Sequence, residues 1–321
     1  MNISGTHSVI ATFYRFVSLD NLRDIKKQLL LCCNNYRVKG TILIAHEGIN
    51  GTIAGSRVAI NQVVNYLVHT CGFSDMEYKE SSSQTIPFYR MKVKIKKEIV
   101  SMGIHNISPL KKAGIRVDPK NWNKLIEDPE VLVLDTRNQY EYTTGTFKNA
   151  VSPNTCTFNE FPRFVDQELK DYRNSKIAMF CTGGIRCEKA TSYLLEQGFS
   201  NVYHLQGGIL KYLEEINPEE NLWQGECFVF DNRVAIDKNL GNGTYEMCYG
   251  CRMPLSKEDR KTPQYAEGIS CPYCYDYLTE KKRARLQERQ QQIRLAESRN
   301  KQHIGIPNGI KNHGKENLDF T

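Results

Sequence analysis

Apolar and polar positions change rhythm several times along the chain. VIATFYRFV (9–17) reads as a strand, and residues 19–33 return apolar side chains at helical spacing. GTILIAHEGINGTIAG (40–55) holds two short strands around a Gly- and Asn-containing turn, and a second helix is predicted over 58–69. FYRMKVKIKKEIV (88–100) closes this part as a strand of period two. A polar stretch at 114–121, with Pro119, reads as a linker. Beyond it the apolar runs change in kind. EVLVLDTRN and KIAMFCTGG are buried strands, 188–197 is a helix capped by Gly198, and NVYHLQGGILKYLEEI is a strand, a Gly-Gly turn and a helix.

Strand, helix, strand pair, helix, strand is the order of a ferredoxin-like (acylphosphatase-like) sandwich, assigned to residues 1–110. Strands alternating with helices over 120–218 predict a mainly parallel sheet with its chemistry at the strands' carboxyl ends. The expected whole is a multidomain α/β and α+β protein: these two units, a cysteine-rich segment with a basic helix at 225–300, and a disordered tail at 301–321. No run reaches the ~18 apolar residues of a membrane span, and the first residues lack the layout of a secretion signal. A cytoplasmic location is the expectation. The eleven cysteines are then expected reduced, and their spacing points to metal or catalytic use before disulfides.

The densest chemistry lies in FCTGGIRCEKA (180–190). Cys181 follows a strand, Gly183 and Gly184 let the backbone curl, and a helix begins near Glu188. Such a loop aims N–H groups inward, the helix N-terminus adds partial positive charge, and Arg186 adds a full one. An anion is favoured there, which makes the Cys181 thiolate a nucleophile near neutral pH. A buried cysteine before an ordinary strand-to-helix turn is the plainer reading; Arg186 at this spacing argues against it. Only four residues separate Cys181 from Arg186, one fewer than a phosphate-encircling cysteine phosphatase loop needs. Cys187 is either a resolving thiol for Cys181 or a packed first-turn residue.

CYGC (Cys248, Cys251) and CPYC (Cys271, Cys274) are C-x2-C pairs nineteen residues apart, the pattern of a structural four-cysteine zinc site. Charge refines the picture. The chain carries +7 overall, and from Glu280 onward ten Lys or Arg against five Asp or Glu leave +5. This fits a polyanionic partner or a merely solvated tail. On the 88–100 strand, Arg90, Lys92, Lys94 and Lys96 share one face. They read either as protection of an edge strand or as a strip that tracks phosphates.

Asp135 and Arg137 in VLVLDTRNQYEYTTGTF, the Cys181–Arg186 loop and LQGGILKYL resemble the successive signatures of a rhodanese domain over 122–216. The resemblance implies a covalent sulfur adduct on Cys181, although Gly145-Thr146 stands where the ordinary rhodanese has Gly-His. Asp135 and Arg137 are expected to brace the domain by an ion pair rather than touch substrate; His46, Glu47 and Asn50 either meet RNA or shape their turn, the latter being the expectation. GTILIAHEGINGTIAG, the lysine strand, the cysteine loop and the two CxxC pairs, in this order over 12–295, together resemble the bacterial tRNA uridine(34) hydroxylase family, TrhO. That branch has GTF where this chain has Gly145-Thr146-Phe147. The resemblance implies oxygen-dependent conversion of the wobble uridine of tRNA to 5-hydroxyuridine, with Cys181 as the active-site residue. The expected site is then Cys181 and Arg186 for catalysis, with Gly183, Gly184, Lys92 and Lys94 on substrate. Expected cofactors are molecular oxygen as co-substrate and zinc on the four cysteines, with no flavin or NAD motif; tRNA is the expected partner, without a membrane. A sulfurtransferase and a noncatalytic tRNA-binding scaffold are the alternatives.

Overall fold

A computed structural model of the chain describes residues 7–73, 76, 78–104 and 106–301. The tail assigned to 301–321 lies outside the described residues except for Lys301.

The N-terminal unit runs β1 (Ser8–Phe16), α1 (Leu22–Asn35), β2 (Lys39–Ala45), β3 (Gly48–Gly55), α2 (Arg57–His69), β4 (Tyr78–Ser83) and β5 (Met91–Ile95). Its sheet has the order β4-β1-β3-β2-β5. The first four strands form the ferredoxin-like sandwich, and β4 closes it, pairing antiparallel with β1. The lysine strand β5 is therefore not the closing strand expected from the sequence; it is an added edge, parallel to β2. YKESSS in β4 has no apolar alternation to mark it as a strand, and main-chain pairing to β1 sets its register.

One sheet face carries Val9, Ala11, Phe13, Ile42 and Ile53 into a core with α1 and α2. The opposite face is polar. Residues directly paired across strands share a face, so Lys79, Thr12, Thr52, Thr41 and Lys92 form one row across all five strands. Tyr14, Asn50, Leu43 and Lys94 form the next. Without helices of its own on that side, this face takes the central domain as its cover.

The central unit contains β6 (Ile115–Val117), α3 (Pro119–Ile126), β7 (Val131–Asp135), α4 (Gln139–Thr144), β8 (Gly145–Phe147), α5 (Phe161–Glu168), β9 (Lys176–Phe180), α6 (Ile185–Glu196), β10 (Asn201–Leu205) and α7 (Gly208–Glu215). Its four-stranded sheet, β6-β10-β9-β7, is parallel throughout. Phe147 sits within a nest of Trp122, Phe180, Tyr212 and Trp223, with ring centroids 4.7–6.0 Å from its own. Asp135 and Arg137 are fully buried and paired at 2.6 Å, and Arg137 also donates to the Gly145 carbonyl. Thr146 donates its hydroxyl to Asp135 at 3.1 Å. The pair thus braces the strand ends, as expected.

The two units are locked by α6. Lys189, 1% exposed, lies between Glu47 and Glu98 at 2.8 and 2.7 Å. Beside it Glu188 accepts from Tyr14 at 2.8 Å and from Arg116 at 3.0 Å. Of the turn residues, His46 bonds the Leu19 carbonyl and Asn50 donates to the Ile99 carbonyl. Glu47 does more than shape its turn, since it is half of the socket for Lys189.

Beyond α7 the chain makes β11 (Trp223–Gly225), paired with β8, and two short hairpins, β12 (Cys227–Phe228) with β13 (Ala235–Ile236) and β14 (Glu246–Met247) with β15 (Pro254–Leu255). It ends in α8 (Glu280–Ser298), whose buried residues are only Leu286 and Gln290, the solvated helix that its composition predicts. No helix among the described residues is long and apolar enough to cross a membrane.

Candidate active site and metal centre

Cys181 stands at the carboxyl end of β9, at the mouth of the parallel sheet, and is 1% exposed. The helix that follows begins at Ile185, three residues earlier than its composition suggests, so Arg186 and Cys187 occupy its first turn. Gly184 is the N-cap, with φ 98°, a conformation that favours glycine, and its N–H donates to the Cys181 sulfur at 3.2 Å. The loop is held from behind by α7: Ile209 and Leu210 donate to the carbonyls of Cys181 and Thr182 at 3.0 and 3.1 Å. A Cβ at Gly208 would stand 2.5 Å from the Cys181 carbonyl oxygen, so the second glycine of LQGG is required by close approach. Lys79, from the N-terminal sheet, donates to the Gly183 carbonyl at 3.2 Å.

Burial alone would push the Cys181 thiol up. A hydrogen bond from Cys187, the charge of Arg186 and the N–H groups of Cys187 and Gly184 outweigh it and bring the group down to about 6. Cys187 is pushed the other way, first by burial and then by its bond to Cys181, while Thr136 lies 3.2 Å from its sulfur. The two shifts run in opposite directions and favour negative charge on Cys181 over Cys187. The surroundings thus favour a thiolate at Cys181, with Cys187 as a donor to it.

Arg186, expected to add its positive charge to the loop, turns its guanidinium onto α4. Both of its terminal nitrogens are bonded to Glu141 at 2.6 and 2.7 Å, and Glu141 is fully buried. Its charge reaches Cys181 through space, but its donor fork is occupied. Glu141 is a site residue that the motifs of the loop do not point to. A local signal for it exists, since Asn138 and Glu141 stand at the N-cap and third positions of a capping box on α4.

Cys181 lines a cavity of about 340 Å³ whose other walls include Thr12, Asn50, Thr52, Phe88 and Phe230. The polar face of the N-terminal sheet thus covers the cysteine loop. Lys92 lines an adjoining cavity of about 780 Å³. Lys94 stands on the same sheet face, exposed, and borders neither cavity. β5 is an edge strand, and its Lys92 and Lys94 stand on the face that covers Cys181.

Cys248, Cys251, Cys271 and Cys274 converge, with all four sulfurs within 4.8 Å of one another. Three sulfur pairs are separated by 3.6, 3.7 and 3.9 Å. A tetrahedral zinc with Zn–S near 2.3 Å requires edges of about 3.8 Å. Leu255, Leu278 and Leu286 pack around the cluster. Four thiols in this arrangement fit a closed, structural zinc site.

A thiolate loop at the end of a parallel sheet, braced by a buried Asp–Arg pair, defines a rhodanese-type domain. Residues 118–215 match the model of the rhodanese-like domain, and residues 8–99 match that of the UPF0176 acylphosphatase like domain. The chain therefore joins a UPF0176-type N-terminal domain to a rhodanese-like one. Among solved structures, a rhodanese-related protein from Thermoplasma volcanium is 25% identical, with 32% of this chain and 95% of that one covered, at a TM-score of 0.27. A single-domain sulfurtransferase from Saccharomyces cerevisiae is 19% identical over 32% and 92%, at a TM-score of 0.28.

Proposed function

We propose that the chain is a tRNA-modifying enzyme that hydroxylates the wobble uridine at C5, with Cys181 as its nucleophile. The observation that carries this reading is a thiolate inside a cavity covered by a second domain, beside a strand whose lysines face the same side. A cavity of about 340 Å³ is large enough for a single base. The UPF0176-type and rhodanese-like pairing is consistent with the TrhO resemblance.

In the proposed reaction the Cys181 thiolate adds to C6 of uracil, and the electron pair displaced makes C5 nucleophilic toward oxygen. One atom of O2 becomes the C5 hydroxyl and the other leaves as water, with two electrons and two protons from an external reductant. Loss of the C5 proton and expulsion of the thiolate from C6 restore the double bond. The Gly184 N–H and the charge of Arg186 stabilise the sulfur whenever it is anionic. Lys92 and Lys94 attract phosphates.

Nucleoside mass analysis of tRNA from cells lacking the chain tests the proposal. Loss of 5-hydroxyuridine, restored by the parent but not by Cys181→Ser, is expected; full restoration by Cys181→Ser would sink the covalent scheme. A second reading, sulfur transfer through a Cys181 persulfide, is favoured by the match over residues 118–215. It requires thiocyanate formation from thiosulfate and cyanide in the absence of RNA.

A further inference from the structure

The two cavities share Thr41, Phe88, Phe230 and Asp231, so the outer one of about 780 Å³ adjoins the Cys181 cavity. Its wall carries four cations, Arg90, Lys92, Arg252 and Arg289, from three separate parts of the chain. None of the four forms an ion pair among the described residues. The two carboxylates on the same wall are already neutralised, Asp231 by Arg233 at 2.6 Å and Glu246 by Arg260. Lys92 is pulled below the ordinary lysine range by burial and then by Arg90, Lys94 and Arg252. A bound anion would relieve that repulsion.

The same wall offers ring faces. Tyr249 lies inside the first CxxC knuckle, and the guanidinium groups of Arg252 and Arg289 stand 5.3 and 4.9 Å from its ring centroid. Its hydroxyl is 3.4 Å from that of Tyr89, next to β5. The metal module thus leans on the N-terminal sheet through this contact. Unneutralised cations interleaved with aromatic rings are the chemistry that holds single-stranded nucleic acid.

We propose that the outer cavity is a single-stranded RNA subsite for the nucleotides flanking the base at Cys181, and that the four-cysteine module serves to hold Tyr249 and Arg252 in its wall. The identity of the occupant rests on the function proposed above. Pockets of about 300–1,000 Å³ suit drug-sized ligands, on the scale of one or two nucleotides. The phosphates would lie against Arg252, Arg289 and Lys92, the first two held over the Tyr249 ring, with bases against Phe88 and Phe230.

The test is a salt titration of binding to an anticodon stem-loop RNA with uridine at the wobble position, using the full chain and its Arg252→Gln, Arg289→Gln and doubly substituted forms. Arg289→Gln changes no residue of the knuckle and removes only the guanidinium over Tyr249; zinc content and Cys181 alkylation by iodoacetamide check that each variant is folded. The double variant is expected to bind at least tenfold more weakly. Its plot of log affinity against log salt should flatten by about 1.4, at ~0.7 for each phosphate that is no longer neutralised. Affinity within twofold of the parent and an unchanged slope would overturn the subsite. If such variants accompany a parent that makes 5-hydroxyuridine, the subsite fails alone. If RNA affinity depends on both arginines but no base is oxidised, the subsite stands and the hydroxylation reading fails. A parent that binds no stem-loop overturns both.

Discussion

Arg186 and Glu141 grip each other through two parallel hydrogen bonds of 2.6 and 2.7 Å, with Glu141 buried beneath the cysteine loop. Burial opposes ionisation of both, yet Glu141 is held below the usual carboxylate range by the Arg186 charge and bonds. Arg186→Met would leave that carboxylate uncompensated. A loss of about 3–5 kcal/mol in stability is expected, the usual cost of breaking a buried pair from one side. The Cys181 titration should also move up, because the variant removes a charge that favours the thiolate. Arg186→Met with Glu141→Leu should recover much of the stability but not the low titration. Denaturant unfolding and alkylation kinetics report the two effects separately.

The Cys181 thiolate is expected to form as pH rises through about 6, whereas a free cysteine does so near 8.5. Iodoacetamide labelling should therefore be near its plateau at pH 7 and fall steeply below pH 6. Cys187→Ala removes a donor to the thiolate and should shift the profile upward; Cys187→Ser, whose hydroxyl can still donate, should shift it less. A resolving thiol behaves differently. It would leave Cys187→Ser inactive under limiting reductant even with an unshifted profile.

Much of this was legible along the chain where local rules and tertiary demands coincide. The cysteine loop was, because strand end, glycines and arginine are contiguous. The four-cysteine site was, because its spacing encodes its geometry. The polar strand β4 was not, since Tyr78 to Ser83 contribute pairing rather than apolar side chains. The start of α6 lies one turn before the position its composition suggests because Gly184 caps the helix through its backbone conformation, without a side-chain signal. The partnership of Arg186 with Glu141 spans forty-five positions and depends on α4 packing beneath the loop, which no periodicity records. The socket for Lys189 escaped for the same reason, since its two glutamates belong to another domain.

That socket supplies a stability test. Lys189 is buried, while Glu47 and Glu98 are about a fifth exposed. Lys189→Met leaves two neighbouring carboxylates that water can partly solvate, so the cost should fall below that of a fully buried pair, at about 1–3 kcal/mol. Cys181 should then react faster with bulky alkylating reagents, because the sheet covering the loop has lost an anchor. An unchanged rate with reduced stability would mean that the cover is held elsewhere.

The strip on β5 separates by position. Lys92 borders the outer cavity, and Lys94 stands outside it on the same face. If RNA enters through the cavity, Lys92→Glu should weaken stem-loop binding by tenfold or more at low salt, against a few-fold for Lys94→Glu, since an exposed charge is screened by salt more effectively than a half-buried one. Equal and negligible effects would reduce the strip to protection of an edge strand. Aggregation on charge removal, with RNA affinity intact in Lys92→Gln, is the signature of that outcome.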